Sequence, residues 1–538
     1  MKQLLLLLTL FISSISFSQE SIQDAWIYFK DKQETEKYFE TPTLMLSERA
    51  LARREKQNIS LDEKDIPITL NYISEIKNSE GIQILAKSKW LNALHIQGTF
   101  EQISDLLNKE FVLKIEYADK TLNQNTFSKQ IQPRKNKLQS KFETTESYNY
   151  GDARNQIEML KGEQLHYLGY TGNDIHIAVM DAGFPNVDNL EAFKYLRDQN
   201  KILGGYDYVL DSENFYTGGS HGTMVLSNIA GNIKNEYVGT APNASFYLFI
   251  TEDGSKETPV EESNWVEALE KADSLGVDIV NTSLGYTEYD NPNYSHTYND
   301  LDGKTAFASR GAEAAFSRGM LLVNSAGNSG NSSWKYVGIP ADAPSVLSIG
   351  AVDENEVIAI FSSYGPTADN RLKPDVCAQG RNIPIINPQG EIQVSNGTSF
   401  SSPVLTGVIA CLWEAFPEKT NNEIVEMVKK SAHLYNNPNN HEGYGIPNME
   451  KIILENNIQN NFTTSFYPNP VDDVLKINSK IKGDMYEINI FDVLGRNVLS
   501  RKMKASEKSI NISTLTSGTY IVEFKNLGNK TTQKIIKQ

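Results

Sequence analysis

The sequence predicts an α/β protein built on a doubly wound, mostly parallel sheet, with a small α+β unit before it and a small β-sandwich after it. Three observations carry this expectation. First, residues 175–180, 277–281, 320–324 and 346–352 are short apolar runs without clean alternation, as strands covered on both faces should be. Second, helical patterns lie between them. Trp265, Leu269, Ala272 and Leu275 share one face of 262–276, and Phe307, Ala314, Ala315 and Phe316 mark another helix in 305–319. Third, beyond residue 463 strand-like runs (473–477, 486–491, 519–524, 532–536) are separated by Gly, Asn and Ser turns.

The 538 residues leave room for three or four units. Residues 1–18 read as a secretory signal peptide: a basic start at Lys2, an apolar core over 4–12, and small Ser16 and Ser18 before a cut at Gln19. The core is too short to span a bilayer. Residues 19–120 alternate strand-like runs (25–29, 82–85, 93–96, 111–117) with a helical run over 100–107, where Ile103, Leu106 and Leu107 fall at helical spacing. Residues 121–147 are polar, without apolar clusters, and read as a linker. Residues 148–457 form the main unit and 463–538 the tail.

Charge and composition narrow the function. With 51 Lys and Arg against 67 Asp and Glu the net charge is −16, which argues against nucleic acid as a partner. The tail is the exception, with twelve Lys and Arg against seven Asp and Glu. Two cysteines exclude a disulfide scaffold and a multi-cysteine zinc site, and Cys377 and Cys411 read as small core hydrophobes. Seven histidines leave few ways to build a metal centre. Residues 403–416 come nearest to a membrane span after the signal, but Glu414 and the modest length fit a buried core helix.

Four motifs in the main unit end predicted elements. Asp181 closes an apolar strand before Ala182-Gly183. His221 heads a helical run in Ser220-His221-Gly222-Thr223. Ser399 lies where the Gly397 turn feeds an apolar helix, with Pro403 suited to its first turn, so that Ser399 would sit at the positive end of the helix dipole. Asn328 ends Asn324-Ser325-Ala326-Gly327-Asn328, again a strand running into a turn. Alone, each is an ordinary cap or turn residue. Together they are what acyl transfer needs: a hydroxyl nucleophile, a base to take its proton, an acid to fix the base, and an amide to donate to the oxyanion.

With these motifs in the order Asp–His–Ser, residues 148–457 resemble the subtilisin-like serine peptidases. Val238-Gly239-Thr240-Ala241-Pro242, Phe361-Ser362-Ser363-Tyr364-Gly365-Pro366, Lys373-Pro374-Asp375-Val376 and Gly443-Tyr444-Gly445 are similar to further family motifs. The resemblance implies the subtilisin-like fold, with Asp181 orienting, His221 as general base and then acid, Ser399 as nucleophile and Asn328 as oxyanion donor. It also implies that Ser283, Leu284 and Gly285 form the edge that pairs with substrate backbone. Ala182, Met224 and Gln379 depart from the family's usual residues without removing a reacting group.

The flanks fit the same resemblance. Residues 19–120 are similar in position and element order to the family's inhibitory propeptide. The tail, with Ser465-Phe466-Tyr467-Pro468-Asn469-Pro470 and Phe491-Asp492-Val493-Leu494-Gly495-Arg496, resembles the sorting domain of type IX secretion in Bacteroidetes; a carbohydrate- or surface-binding sandwich is the competing reading. The expectation is a secreted, extracellular or cell-surface serine endopeptidase made as a zymogen, with a silent scaffold of the same fold as the alternative. Its partners would be protein or peptide substrates and the type IX machinery, with no nucleic acid and no stable membrane span. No cofactor or metal ligand is expected. A structural calcium is not readable, because Asp300-Leu301-Asp302-Gly303 falls short of the EF-hand loop pattern.

Overall fold

The computed structural model describes residues 21–123, 148–456, 465–478, 485–526 and 529–538. The expected signal peptide, the linker from residue 124 onward and the junction at 457–464 lie outside the described residues.

The first unit is a four-stranded antiparallel sheet in the order Gln83–Ser88, Ala93–Thr99, Ile22–Phe29, Val112–Tyr117. The central strand Ile22–Phe29 is buried on both faces, which explains why its sequence does not alternate. Ala25, Ile27 and Phe29 join the unit's own core with Leu94, Ile96 and Ile103. Trp26 and Tyr28 point the other way, into the main unit, where Trp26 stacks on Phe307 with ring centroids 5.1 Å apart. The folded chain continues to Asn123, whose side-chain oxygen accepts the Tyr117 N–H at 2.8 Å.

Two helices of this unit, Glu48–Lys56 and Leu70–Lys77, have no counterpart in the expected elements. The first starts at Ser47, whose side chain accepts the Ala50 N–H. It drives arginines onto the C-terminal end of helix Val260–Leu275 in the main unit. Arg49 donates to the Gly276 carbonyl at 3.0 Å and to Asp278 at 2.5 Å. Arg53 reaches Asp273 at 2.5 Å and the Val277 carbonyl. Arg54 bridges Asp65 and Asp273, each at 2.8 Å. Cations here meet both carboxylates and the negative end of the helix dipole.

The main unit is organised by a seven-stranded sheet in the order Val376–Gln379, Val346–Val352, Leu321–Ser325, Ile279–Thr282, His176–Asp181, Ser245–Ile250, Ile202–Asp207. All its pairings are parallel. Ile177 and Val179 pack on one face with helices His221–Ala230 and Thr398–Ala415; Ala178 and Met180 pack on the other with Val260–Leu275 and Phe307–Ser317. Strand order reverses between His176–Asp181 and Ile279–Thr282, and the crevice at such a switch, at the carboxyl ends of the strands, is where α/β sheets bind ligands.

One local expectation needs correction. Helix Thr398–Ala415 begins early enough that Pro403 is its sixth residue and lies inside it, not in the first turn. A proline there lacks the N–H that would bond to the Ser399 carbonyl four residues back. That carbonyl instead accepts the Ser283 hydroxyl at 2.8 Å, so the helix continues with its backbone satisfied.

The tail forms a three-stranded sheet (Ser465–Tyr467, Val474–Asn478, Ser509–Asn511) and a four-stranded sheet (Asn497–Lys504, Met485–Asp492, Gly518–Asn526, Asn529–Lys537), both antiparallel. Phe466, Leu475, Ile488, Ile490, Val522 and Phe524 fill one core between them, as in a sandwich. Asn497–Lys504 lay outside the expected runs. Its burial pattern is mostly exposed, with only Met503 buried, so it offers little apolar signal.

Candidate active site

The candidate residues come from three elements and from two segments that follow strands Ile279–Thr282 and Leu321–Ser325. Asp181 is the last residue of its strand and is wholly buried. Its Oδ1 accepts the Ala182 N–H at 2.8 Å and His221 Nδ1 at 2.8 Å. A carboxylate only accepts, so Nδ1 carries the hydrogen, and in the neutral ring Nε2 keeps its lone pair. His221 is the first residue of helix His221–Ala230. The following residue must be glycine: a Cβ on Gly222 would stand 2.4 Å from the Gly183 carbonyl oxygen and 2.9 Å from Asp181 Cβ. Burial opposes the imidazolium, but the charge and hydrogen bond of Asp181 outweigh it, and the His221 pKa lies above that of a free histidine.

Ser399 is the second residue of helix Thr398–Ala415 and is 8% exposed. Its hydroxyl donates to the Ser283 carbonyl at 3.2 Å. The next ring, Phe400, stands 5.7 Å from the His221 imidazole, centroid to centroid, so the start of this helix adjoins the start of the histidine helix. The turn before it uses Gly397 at φ +151°.

Asn328 is oriented by one neighbour. Its Oδ1 accepts both the Thr398 N–H at 2.8 Å and the Thr398 hydroxyl at 3.0 Å. Two donors on one oxygen settle which end of the amide is which. The Nδ2 end therefore faces Gly397 beside Ser399, and a Cβ built on Gly397 would lie 3.6 Å from it. Ser283, Leu284 and Gly285 continue from strand Ile279–Thr282 and, with Asn328 and Ser399, line a cavity of about 160 Å³.

Five of the seven expected site residues line this cavity, and the hydrogen-bonded Asp181–His221 pair stands beside Phe400, the residue after Ser399. Sequence reasoning missed Thr398, Phe400, Trp334, Tyr336 and Ser363. Thr398 and Phe400 flank Ser399 within the same motif, but their tasks depend on contacts with distant segments. Trp334 and Tyr336 carried no signal, because a Trp and a Tyr in a Ser- and Gly-rich loop look like ordinary surface residues. Cys377 and Cys411 are both buried and unpaired with each other, and burial holds both thiols well above the usual range.

A fold with this switch point, carrying a buried carboxylate, an imidazole and a serine in that chain order, defines a subtilisin-like hydrolase, and comparison with known proteins agrees. Residues 172–445 match the model of the subtilase family, and the chain belongs to that family. It is a serine endopeptidase. Residues 24–137 match the peptidase S8 propeptide domain of Bacteroidota, and 465–538 match the secretion system C-terminal sorting domain. It is therefore a secreted or cell-surface protease made as a zymogen. Among its relatives, subtilisin NAT of Bacillus subtilis subsp. natto is 32% identical over 312 residues, 57% of this chain and 72% of the relative. Subtilisin of Bacillus pumilus is 31% identical over 298 residues, 55% of this chain and 96% of the relative. M-protease of Shouchella clausii is 30% identical over 295 residues, 55% and 68%. No helix among the described residues is long and apolar enough to cross a membrane.

Proposed function

We propose that Ser399, His221 and Asp181 cleave peptide bonds through an acyl-enzyme, with Asn328 holding the oxyanion. The observation that carries this reading is the 2.8 Å bond from His221 Nδ1 to the buried Asp181 carboxylate, beside the helix that presents Ser399. Ser399 Oγ attacks the scissile carbonyl carbon while His221 Nε2 takes the hydroxyl proton. The carbonyl oxygen becomes an anion, and Asn328 Nδ2 donates to it; Thr398 already holds the other end of that amide, so no reorganisation is needed. When the tetrahedral intermediate collapses, the leaving amine takes the proton from His221. Water then repeats the cycle on the acyl-enzyme and frees Ser399. Asp181 stays ionised throughout and stabilises the imidazolium.

Substrate would lie extended along Ser283–Gly285, adding a strand through main-chain hydrogen bonds. A hydroxyl, an imidazole, a carboxylate and an amide suffice for this chemistry, so the proposal includes no cofactor. In the zymogen, residues 19–120 would cover the catalytic unit at 148–457, and the linker 121–147 would be cut to release it. The tail at 463–538 would be read by the type IX secretion machinery and removed at the 457–464 junction. Labelling with a serine-directed fluorophosphonate tests the centre: the wild-type enzyme should label, and Ser399→Ala should neither label nor cleave a protein substrate. Cleavage by the alanine variant would refute the assignment.

A further inference from the structure

We propose that the tail is recognised through an apolar patch on the outer face of its four-stranded sheet, topped by Val493 and Leu494, which docks into an apolar recess on a protein of the type IX export machinery. This rests on the tail as an export signal and adds the surface by which it is read.

At the tip, the turn between strands Met485–Asp492 and Asn497–Lys504 is locked by Asp492. Its Oδ1 accepts the Leu494 N–H at 2.9 Å and the Arg496 N–H at 3.0 Å, and its Oδ2 accepts from Arg496 Nε at 2.7 Å. Gly495, at φ +79°, donates its N–H to the Asp492 carbonyl at 2.9 Å. Asp492 and Gly495 are enough to close such a turn, and polar residues would serve at the two positions between them. Those positions hold Val493 and Leu494, which are 71% and 76% exposed. Neither belongs to the tail's core.

Strand register extends the patch from this tip. Ile490, Tyr520 and Val522 face the core, so Phe491 and Ile521 face outward. Phe491 stands directly opposite Ile521. Ile536 stands opposite Thr519, the next outward residue on the same strand as Ile521. Side chains so related are neighbours on one face of a sheet. Ile521 and Ile536 are 36% and 43% exposed, and Phe491 is half-buried. The patch thus crosses three adjacent strands and ends at the Val493–Leu494 turn. Adjoining apolar side chains left bare on a small domain mark an interaction site.

Charge narrows the partner. Lys534 lies opposite Ile521, and Lys502 and Lys525 lie on either side of Glu487 on the same outer face. The tail as a whole carries twelve Lys and Arg against seven Asp and Glu. The fitting surface is an apolar recess with acidic groups beside it. The match of this segment to the secretion system C-terminal sorting domain makes the export machinery, and not a protease substrate, the partner to which such a face belongs.

The test uses the full chain carrying Ser399→Ala in the native host and reads the secreted fraction by fractionation. Val493→Ser with Leu494→Ser, and separately Ile521→Thr with Ile536→Thr, should each lower that fraction by about tenfold, the scale on which removing an apolar anchor weakens a docked interface. Val493→Ile with Leu494→Met should be secreted as the parent chain is. A photo-crosslinking amino acid in place of Leu494 should join the chain to a protein without which the wild-type chain stays in the periplasm. Parent-level secretion of either polar variant would overturn the proposal, as would a cross-link only to the main unit or to a second copy. A loss equally large in the conservative variant would trace the effect to the turn's own structure and overturn it too. So would binding of the purified chain to vesicles of phosphatidylcholine and phosphatidylglycerol that the serine pair abolishes, because the patch would then belong to a lipid surface. Failure of the export reading shows separately, as normal secretion of a chain lacking residues 463–538.

Discussion

Ser283 and Ser399 are joined twice: the Ser283 hydroxyl donates to the Ser399 carbonyl at 2.8 Å, and the Ser399 hydroxyl donates to the Ser283 carbonyl at 3.2 Å. The first bond replaces the helix partner that Pro403 removes, and it ties the serine helix to the strand proposed to hold substrate. The second is the position in which the Ser399 hydroxyl rests in this structure.

Ser283→Ala should leave the buried Ser399 carbonyl without a partner. The expected loss is about 1–3 kcal/mol of stability. It is best read as a lower denaturant midpoint in the Ser399→Ala chain, where self-digestion cannot distort the curve. An unchanged midpoint would mean that another donor serves this carbonyl.

Asn328→Ala should lower kcat and leave KM nearly unchanged, because the amide acts on charge that exists only in the transition state. The scale is about 10²–10³, the loss that removing one such donor causes in subtilisin itself. Thr398→Val removes one of the two bonds on Asn328 Oδ1 and keeps the backbone one, so its effect should be in the same direction but smaller. Steady-state kinetics on one peptide substrate measures both.

The pH profile should have an acid limb set by His221. The base must be neutral, and Asp181 raises its pKa above 6.5. Activity should therefore be present at higher pH and fall as pH drops through a value above 6.5. With Asp181→Asn the residual activity should be much lower and its acid limb displaced to lower pH. A kcat/KM profile flat from about pH 5 to 9 would exclude a histidine base.

Arg54→Ala should weaken the zymogen more than a surface change would. It leaves Asp65 and Asp273, both fully buried, short of a cation they share. Breaking a buried pair from one side costs about 3–5 kcal/mol, and the Arg318 contact to Asp65 at 3.3 Å will offset part of it. The readout is the denaturant midpoint of the uncut Ser399→Ala chain. In the active enzyme the same change should speed degradation of the propeptide.

Deleting residues 463–538 should leave a folded protease inside the cell envelope of its native host. The tail has its own core in the structure, so its removal takes nothing from the main sheet. Fractionation with intact-mass measurement checks this, and normal secretion of the shortened chain would refute the export role.

The sequence by itself determined the signals that are local. Buried parallel strands announced themselves as unbroken apolar runs, and Asp181, His221, Ser399 and Asn328 each stood where an element ends, because side chains at strand and helix ends are the ones that reach a crevice. Asp181, His221 and Ser399 are far apart along the chain, and only the sheet order, with His176–Asp181 beside Ile279–Thr282, sets the strand end that carries the Asp181–His221 pair next to the one followed by Ser283, which bonds Ser399. Tertiary structure also decided what no local pattern encodes. Arg53 and Arg54 belong to a helix the sequence did not announce, and they are buried because Asp273 and the end of another helix wait more than two hundred residues away. Pro403 read as a helix start, yet it sits inside the helix because Ser283 supplies the missing hydrogen bond. Tyr336 carries no local signal, and its place is set by Tyr298 and Tyr364, which pack against it. In each case the deciding partner is distant in sequence, and a preference set by a distant partner leaves no trace in the residues beside it.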